Sequence, residues 1–199
     1  MNFLPRSLAG RIVIWHGFWQ RLCSHAFSGA IGGAFHEFGS QSVIVPPARL
    51  SGVGRISIGR GVYVGAGSWF NVVEPGRTGS PAIRIGEGTS IAGAIVLSAY
   101  DSILIEDHVL FARNVYISDH SHRFDDIGKP VLAQGIDHVA PIKIGRGSWI
   151  CQNVVICPGV TIGRGAVVGA NSVVKIDVPD YSLAAGAPCR VVRPIKNPA

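Results

Sequence analysis

The sequence predicts an all-β solenoid, a three-sided prism of stacked turns of short strands, and three observations predict it. Aliphatic residues fall at every sixth position along one stretch, at Ile144, Ile150, Ile156, Ile162, Val168 and Val174. Two residues ahead of each anchor stands another apolar or small side chain, namely Ile142, Ser148, Val154, Val160, Ala166 and Ser172. Glycine directly follows three of the anchors, at Gly145, Gly163 and Gly169. Residues i and i−2 share a face in extended chain, so each hexad reads as a short strand with two inward side chains, then a corner. Glycine suits a sharp bend there, because it reaches backbone conformations closed to other residues. No hexad buries its apolar face alone, but each turn covers the next, as in any repeat stack. A sandwich of alternating strands also yields apolar pairs and glycines, but does not keep six anchors in one phase.

Composition bounds the rest. A chain of 199 residues with 47% apolar content fits one domain plus an appendage. The formal net charge of +6 admits nucleic acid, anionic lipid or a phosphorylated cofactor as partner. No Lys/Arg run or aromatic-basic cluster marks a nucleic-acid surface, so no nucleic acid is expected. Cys23, Cys151, Cys157 and Cys189 lack CxxC spacing and a companion His at metal spacing. They read as structural filler, and free thiols suit a reducing cytoplasm. Arg6 and Arg11 break the first apolar run, which argues against a signal peptide. No stretch reaches the roughly 20 apolar residues of a membrane span.

In chain order, residues 1–42 form a helical extension. Leu8, Ile12, Trp15, Trp19 and Leu22 recur at helical spacing, with Ile14 and Phe18 widening the stripe and Arg6, Arg11, Gln20 and Arg21 mainly outside it. Such a helix is expected to cap the open end of the solenoid or dock a neighbouring protomer, with contact to a membrane surface as the alternative. Residues 28–34 (SGAIGGA) read as a flexible break. The solenoid is expected over residues 43–180, opening with Ile56/Ile58, Val62/Val64 and Ser68/Phe70. Residues 74–82 (EPGRTGSPA) read as a loop leaving the prism. The phase resumes at Ile83/Ile85, Thr89/Ile91 and Ile95/Leu97, and the next pair, Ile103/Ile105, comes eight residues later, which predicts a bulged corner around Ser98–Ser102. Val109/Phe111 and Val115/Ile117 follow. The pattern then stops over residues 118–141, a polar insertion holding three of the seven His and four of the twelve acidic residues. An insertion this long is expected to be functional or disordered. Residues 181–199 read as an irregular basic tail carrying Arg190, Arg193 and Lys196.

These motifs resemble the hexapeptide-repeat acyltransferases, especially the sugar O-acetyltransferases that modify galactosides, maltose and bacterial surface polysaccharides. The matching residues are SDHSH at 118–122, IKIGRGSWI at 142–150, VVICPGVTIGRGAVVGANSVV at 154–174 and AAGAPCRVV at 184–192. The resemblance implies a left-handed parallel β-helix, a homotrimer with active sites between neighbouring prisms, and acetyl-CoA as acyl donor without a metal. The acceptor it implies is a sugar or polysaccharide precursor, handled in the cytoplasm or at the inner face of the membrane.

Moving an acetyl group from a thioester to a hydroxyl needs a base, and histidine titrates near neutrality. The resemblance places the catalytic histidine at His120. His122 and Asp119 are expected on the acceptor side, and Asn114 either there or as a structural residue of a β-helix corner. Asp119, Asp125 and Asp126 are all candidates to orient the His120 ring; neighbouring residues on a strand face opposite ways, which does not favour Asp119. Carried-over family positions put Trp149, Gln152 and Ala170 along the pantetheine arm, and Arg190 and Arg193 at the phosphates. The family's Thr-Lys-Asp reads Lys175-Ile176-Asp177 here, which moves the cation one position earlier and onto the opposite side of a strand.

Three other readings compete. One keeps the fold with an amine acceptor on an amino sugar, or the hydroxyl of serine, and the DHSH signature favours the sugar hydroxyl. A zinc β-helix enzyme like the γ-type carbonic anhydrases needs three imidazoles, but His108, His120, His122 and His138 stand 12, 2 and 16 apart. A non-catalytic interaction solenoid is disfavoured by the intact SDHSH and PCR motifs.

Overall fold

The computed structural model describes residues 6–73 and 81–196. Residues 74–80 of the expected loop lie outside the described residues, as do the last three. Helix α1 (Arg6–Gly32) leads into a left-handed parallel β-helix with three faces. The first face stacks Glu37–Phe38, Ile56–Ile58, Ile83–Ile85, Ile103–Ile105, Ile142–Ile144 and Thr161–Ile162. The second stacks Val43–Ile44, Tyr63–Val64, Ser90–Ile91, Leu110–Phe111, Trp149–Ile150 and Val167–Val168, and continues into Ser182–Gly186 and Cys189–Pro194. The third stacks Arg49–Ser51, Trp69–Val72, Val96–Ala99, Tyr116–Ser118, Val155–Ile156 and Val173–Val174.

All the anchors read from the six-residue period are buried, and Phe70, Leu97, Phe111 and Ile117 from the earlier coils join them in one continuous core. Each anchor removes its side chain from water against the coils above and below, on the order of 1.5–3 kcal/mol per large aliphatic residue. The insertion does not interrupt the stack. Ile103–Ile105 pairs directly with Ile142–Ile144, and Tyr116 and Ile117 pair with Val155 and Ile156. The chain past Ser118 therefore leaves the prism and returns to it in register at Ile142.

Four expectations change. The solenoid starts earlier than Val43, because Glu37–Phe38 already pairs with Ser57 and Ile58. The supposed break at 28–34 is helix as far as Gly32. Its last turns are held by Ser28, whose Oγ accepts the Ile44 N–H at 2.9 Å, while Phe27 and Ile31 pack on the core. The tail is regular as well: Ser182–Gly186 adds a parallel strand beside Val167–Val168, and Cys189–Pro194 turns back antiparallel against it.

The fourth change concerns the glycines after the anchors. None of Gly145, Gly163 and Gly169 has a left-handed backbone. A Cβ on Gly145 would stand 2.7 Å from the Arg164 nitrogen, and one on Gly163 would run into the Asp180 nitrogen. Successive coils approach so closely at this corner that no side chain fits. The left-handed positions come two residues later, at Gly147 and Gly165, with φ of 68° and 57°.

Candidate active site

The corner after Val96–Ala99 carries the two extra residues, and it is built around a buried carboxylate. Backbone N–H groups of Tyr100, Asp101 and Ser102 donate to the Asp119 carboxylate at 2.8, 2.8 and 2.7 Å. Asp119 is fully buried just past the end of Tyr116–Ser118. His120 Nδ1 lies 2.8 Å from Asp119 Oδ1. The strand rule that argued against Asp119 as orienting group fails here, because the strand has ended and alternation no longer governs where the side chains point. Both Asp119 oxygens are engaged beneath the ring by these donors. Asp126 is occupied within the insertion by Lys129 at 2.9 Å and by the Gly128 N–H at 3.0 Å.

Electrostatics settle what this pair carries. Burial pushes the Asp119 carboxyl up, but the hydrogen bonds from His120 and from the three backbone N–H groups outweigh it and hold the group below the usual carboxylate range. A carboxylate only accepts, so Nδ1 carries a proton toward Asp119 and Nε2 is the ring nitrogen on the side away from it. Ser118 Oγ donates to the His120 carbonyl at 2.8 Å, which fixes the backbone under the ring.

His120 and His122 line the same cleft of about 590 Å3 on the third face. Its wall is the outward row of that face, including Trp69, Asn71, Ser98, Tyr116 and Cys157. Sequence reading missed these residues. They alternate with the inward Phe70, Leu97, Ile117 and Ile156, so their placement was readable once His120 was set on this face. The far side is the insertion, folded as a short antiparallel pair in which Ser121 opposes Asp137 and His122 opposes Ile136. A larger groove of about 1090 Å3 runs along the first face and shares no lining residue with this cleft. Its charges pair across coils, Arg60 with Glu87 and Arg146 with Asp107 at 2.6 Å, and serve as a ladder between them.

The residues expected on the donor side do not line the His120 cleft of this chain. Trp149 opens a row across the second face that passes through Val167 and Leu183 to Arg193 by direct strand register. Arg190 sits on the same hairpin opposite Ala185. Among the described residues the side chains of both arginines hydrogen-bond only backbone carbonyls, of Cys189 and Pro194, leaving further donor capacity. Gln152 and Ala170 are exposed at the adjoining corner, stacked in successive coils, where the Asn171 N–H donates to the Gln152 carbonyl at 2.9 Å. Lys175 is exposed on a different corner, beyond Val173–Val174. An apolar row ending in guanidinium groups fits a long, phosphorylated thioester ligand.

Of the two roles open to Asn114, the structure displays the corner one: it belongs to a ladder of asparagines. Asn114, Asn153 and Asn171 are left-handed, with φ of 60°, 58° and 59°. Their amides link in series, Asn114 to Asn153 at 3.3 Å and Asn153 to Asn171 at 2.9 Å. Among the described residues no group of three or more His, Cys, Asp or Glu could hold a metal ion.

Comparison with known proteins adds a family context. The family model described as bacterial transferase hexapeptide (six repeats) matches residues 141–175. A crystal structure of a hexapeptide-repeat acetyltransferase of Vibrio cholerae, complexed with acetyl coenzyme A, is 30% identical with a TM-score of 0.65. The match covers 96% of this chain and 87% of that one. A probable acetyltransferase of Mycobacterium tuberculosis is 37% identical over 151 residues, 70% of this chain. The galactoside O-acetyltransferase of Escherichia coli is 38% identical over 136 residues, 67% of this chain. The chain spans 50% and 64% of the length of these two relatives.

Proposed function

The chain belongs to the hexapeptide-repeat acetyltransferases, and from that premise we propose that it is an acetyl-CoA-dependent O-acetyltransferase acting on a sugar hydroxyl. The observation that carries this reading is the buried Asp119–His120 pair at the wall of a cleft. Bound acetyl-CoA would supply an activated thioester carbonyl. His120 Nε2 takes the acceptor's proton as the hydroxyl oxygen bonds to that carbonyl carbon, and returns it to the sulfur as the C–S bond breaks. Asp119 is the positioning residue that holds the ring and stabilises the transient imidazolium. His122, lining the same cleft, meets the acceptor.

The Trp149–Val167–Leu183–Arg193 row, with Gln152, Ala170 and Arg190 beside it, binds the donor. Because this row and the His120 cleft lie on neighbouring faces of one prism, a complete site forms when the second face of one copy meets the third face of the next. Such a contact is heterologous and closes into a ring; three three-sided prisms give a homotrimer. The galactoside O-acetyltransferase among the relatives supports a sugar acceptor. A polysaccharide or lipopolysaccharide precursor, met in the cytoplasm, is the acceptor class in this reading.

The test is thiol release from acetyl-CoA across a panel of glycans and nucleotide sugars, with wild type and His120→Ala. The variant is expected to lose roughly 10²–10⁴ in turnover while still binding coenzyme A. Equal turnover of the two proteins on a competent acceptor would overturn the assignment of the base.

A further inference from the structure

Helix α1 carries two apolar faces, and the fold uses only one of them. Ser24, Phe27, Ser28 and Ile31 are turned toward the open end of the prism: both serines are buried, and Phe27 and Ile31 pack on the core. Leu8, Ile12, Trp15, Trp19 and Leu22 share another side of the helix, centred about 150° away at 3.6 residues per turn. With Phe18 they are 44–60% exposed. Trp15, Phe18 and Trp19 stack edge to face, at centroid distances of 6.1 and 6.3 Å. The stripe that suggested a cap therefore faces away from the prism it was expected to cover; the cap is made by the last turns alone.

Charge identifies what this second face meets. Residues 6–32 contain no Asp or Glu, and they carry Arg6, Arg11, Arg21, His16 and His25. Arg11 and Arg21 are exposed; Arg11 falls at the edge of the apolar stripe between Phe18 and Leu22 and Arg21 lies beyond Phe18 on the same side, and such long side chains extend past apolar surface to keep their charge in a polar layer. A second copy of the helix would bring arginine against arginine with no acid to compensate. An anionic lipid surface supplies the missing charge, and Trp residues favour the boundary between headgroups and acyl chains. Among the described residues no helix is long and apolar enough to cross a membrane. We propose that the N-terminal two-thirds of α1 lies in the plane of an anionic bilayer, with Leu8, Ile12, Trp15, Phe18, Trp19 and Leu22 inserted and the prism held beside the surface. This inference does not depend on the transfer reaction.

The test is flotation of the full-length protein with vesicles of phosphatidylcholine alone or mixed with phosphatidylglycerol, at low and high salt. The protein is expected to float with the anionic vesicles in a salt-sensitive way, with a blue shift of tryptophan fluorescence. Ile12→Glu and Trp19→Glu should each weaken partition roughly tenfold to a hundredfold. Melting temperature and sedimentation coefficient should stay unchanged, because neither side chain packs on the prism. Arg11→Glu with Arg21→Glu should weaken binding to anionic vesicles while leaving the apolar face intact. Absence of wild-type binding to anionic vesicles overturns the proposal. So does a drop in oligomeric state on Ile12→Glu, which would assign the face to a second copy.

Discussion

Between Ile142 and Val174 the corners close on the backbone of the next coil, with single N–H groups of Arg146, Thr161 and Arg164 also donating to Glu106, Asp177 and Asp180, whereas at Tyr100–Ser102 three successive N–H groups converge on one buried carboxylate. In the regular stretch the N–H groups after the anchors, at Gly145, Cys151 and Cys157, donate to Ile162, Val168 and Val174 one coil on, at 2.8–3.0 Å. At the bulged corner two additional residues displace the chain, and three N–H groups converge on Asp119 instead. Buried backbone donors left unpaired would each cost on the order of 1–3 kcal/mol. The carboxylate that repairs the irregular corner is thus the one that aims the histidine. Structural repair and chemistry share a residue, so the irregularity is tied to the site and the regular coils are free of it.

Asp119→Asn tests that shared role most directly. The amide keeps the size, but its NH2 cannot accept from the backbone donors, and it no longer selects the Nδ1-protonated ring. Turnover is expected to fall on the order of 10²–10⁴, with coenzyme A binding retained. An unchanged kcat would separate the corner from the chemistry. Stability should fall too, and its pH dependence has a definite sign. Because the folded-state carboxyl is held low, its contribution is fully present above the unfolded value of about 3.9 and is lost as pH falls through the folded-state pKa. The stability gap between wild type and Asp119→Asn, followed by urea titration, should narrow as pH falls below about 4. A gap that widens on acidification would contradict the charged assignment.

The contrast also explains what could be read from the chain. The period of six places Ile144, Ile150, Ile156, Ile162, Val168 and Val174 inside because burial acts on side-chain identity, which a sequence displays. The eight-residue step between Leu97 and Ile105 marks the bulge for the same reason. Asp119 was passed over because strand alternation was extended one residue beyond the strand. The wall formed by Trp69, Asn71, Tyr116 and Cys157 comes from coils far apart in sequence, and only their stacking makes them neighbours. The second face of α1 was legible as a stripe, but not the direction it points, since that is decided by Ser24 and Ser28 docking the other side.

Within the regular stretch, Gly145 and Gly147 separate two reasons for glycine. Gly145 has ordinary φ and no room, while Gly147 has a φ of 68° and open space where a Cβ would stand. Gly145→Ala forces two backbones apart and should cost about 3 kcal/mol, near the upper end for overpacking. Gly147→Ala places an L-residue in the left-handed region and should cost about 1–2 kcal/mol. Both should leave kcat unaltered at temperatures where the variants are folded. Equal losses in the two melting curves would mean that the coils yield more easily than their spacing implies.

The smallest effect falls on Asn114, where corner and cleft make opposite forecasts. As a left-handed corner residue it is replaceable by glycine, which adopts that backbone freely and forfeits only an exposed amide contact to Asn153. Asn114→Gly should therefore change stability by about a few tenths of a kcal/mol, whereas Asn114→Ala should lose about 1 kcal/mol from backbone conformation. In both variants KM for the acceptor should equal that of wild type, because the side chain is tied along the corner ladder and does not line the His120 cleft. A raised KM shared by glycine and alanine variants, with stability intact in the former, would place the amide at the acceptor. It would then extend the irregular, chemical part of the molecule onto a corner that the ladder of Asn153 and Asn171 marks as regular.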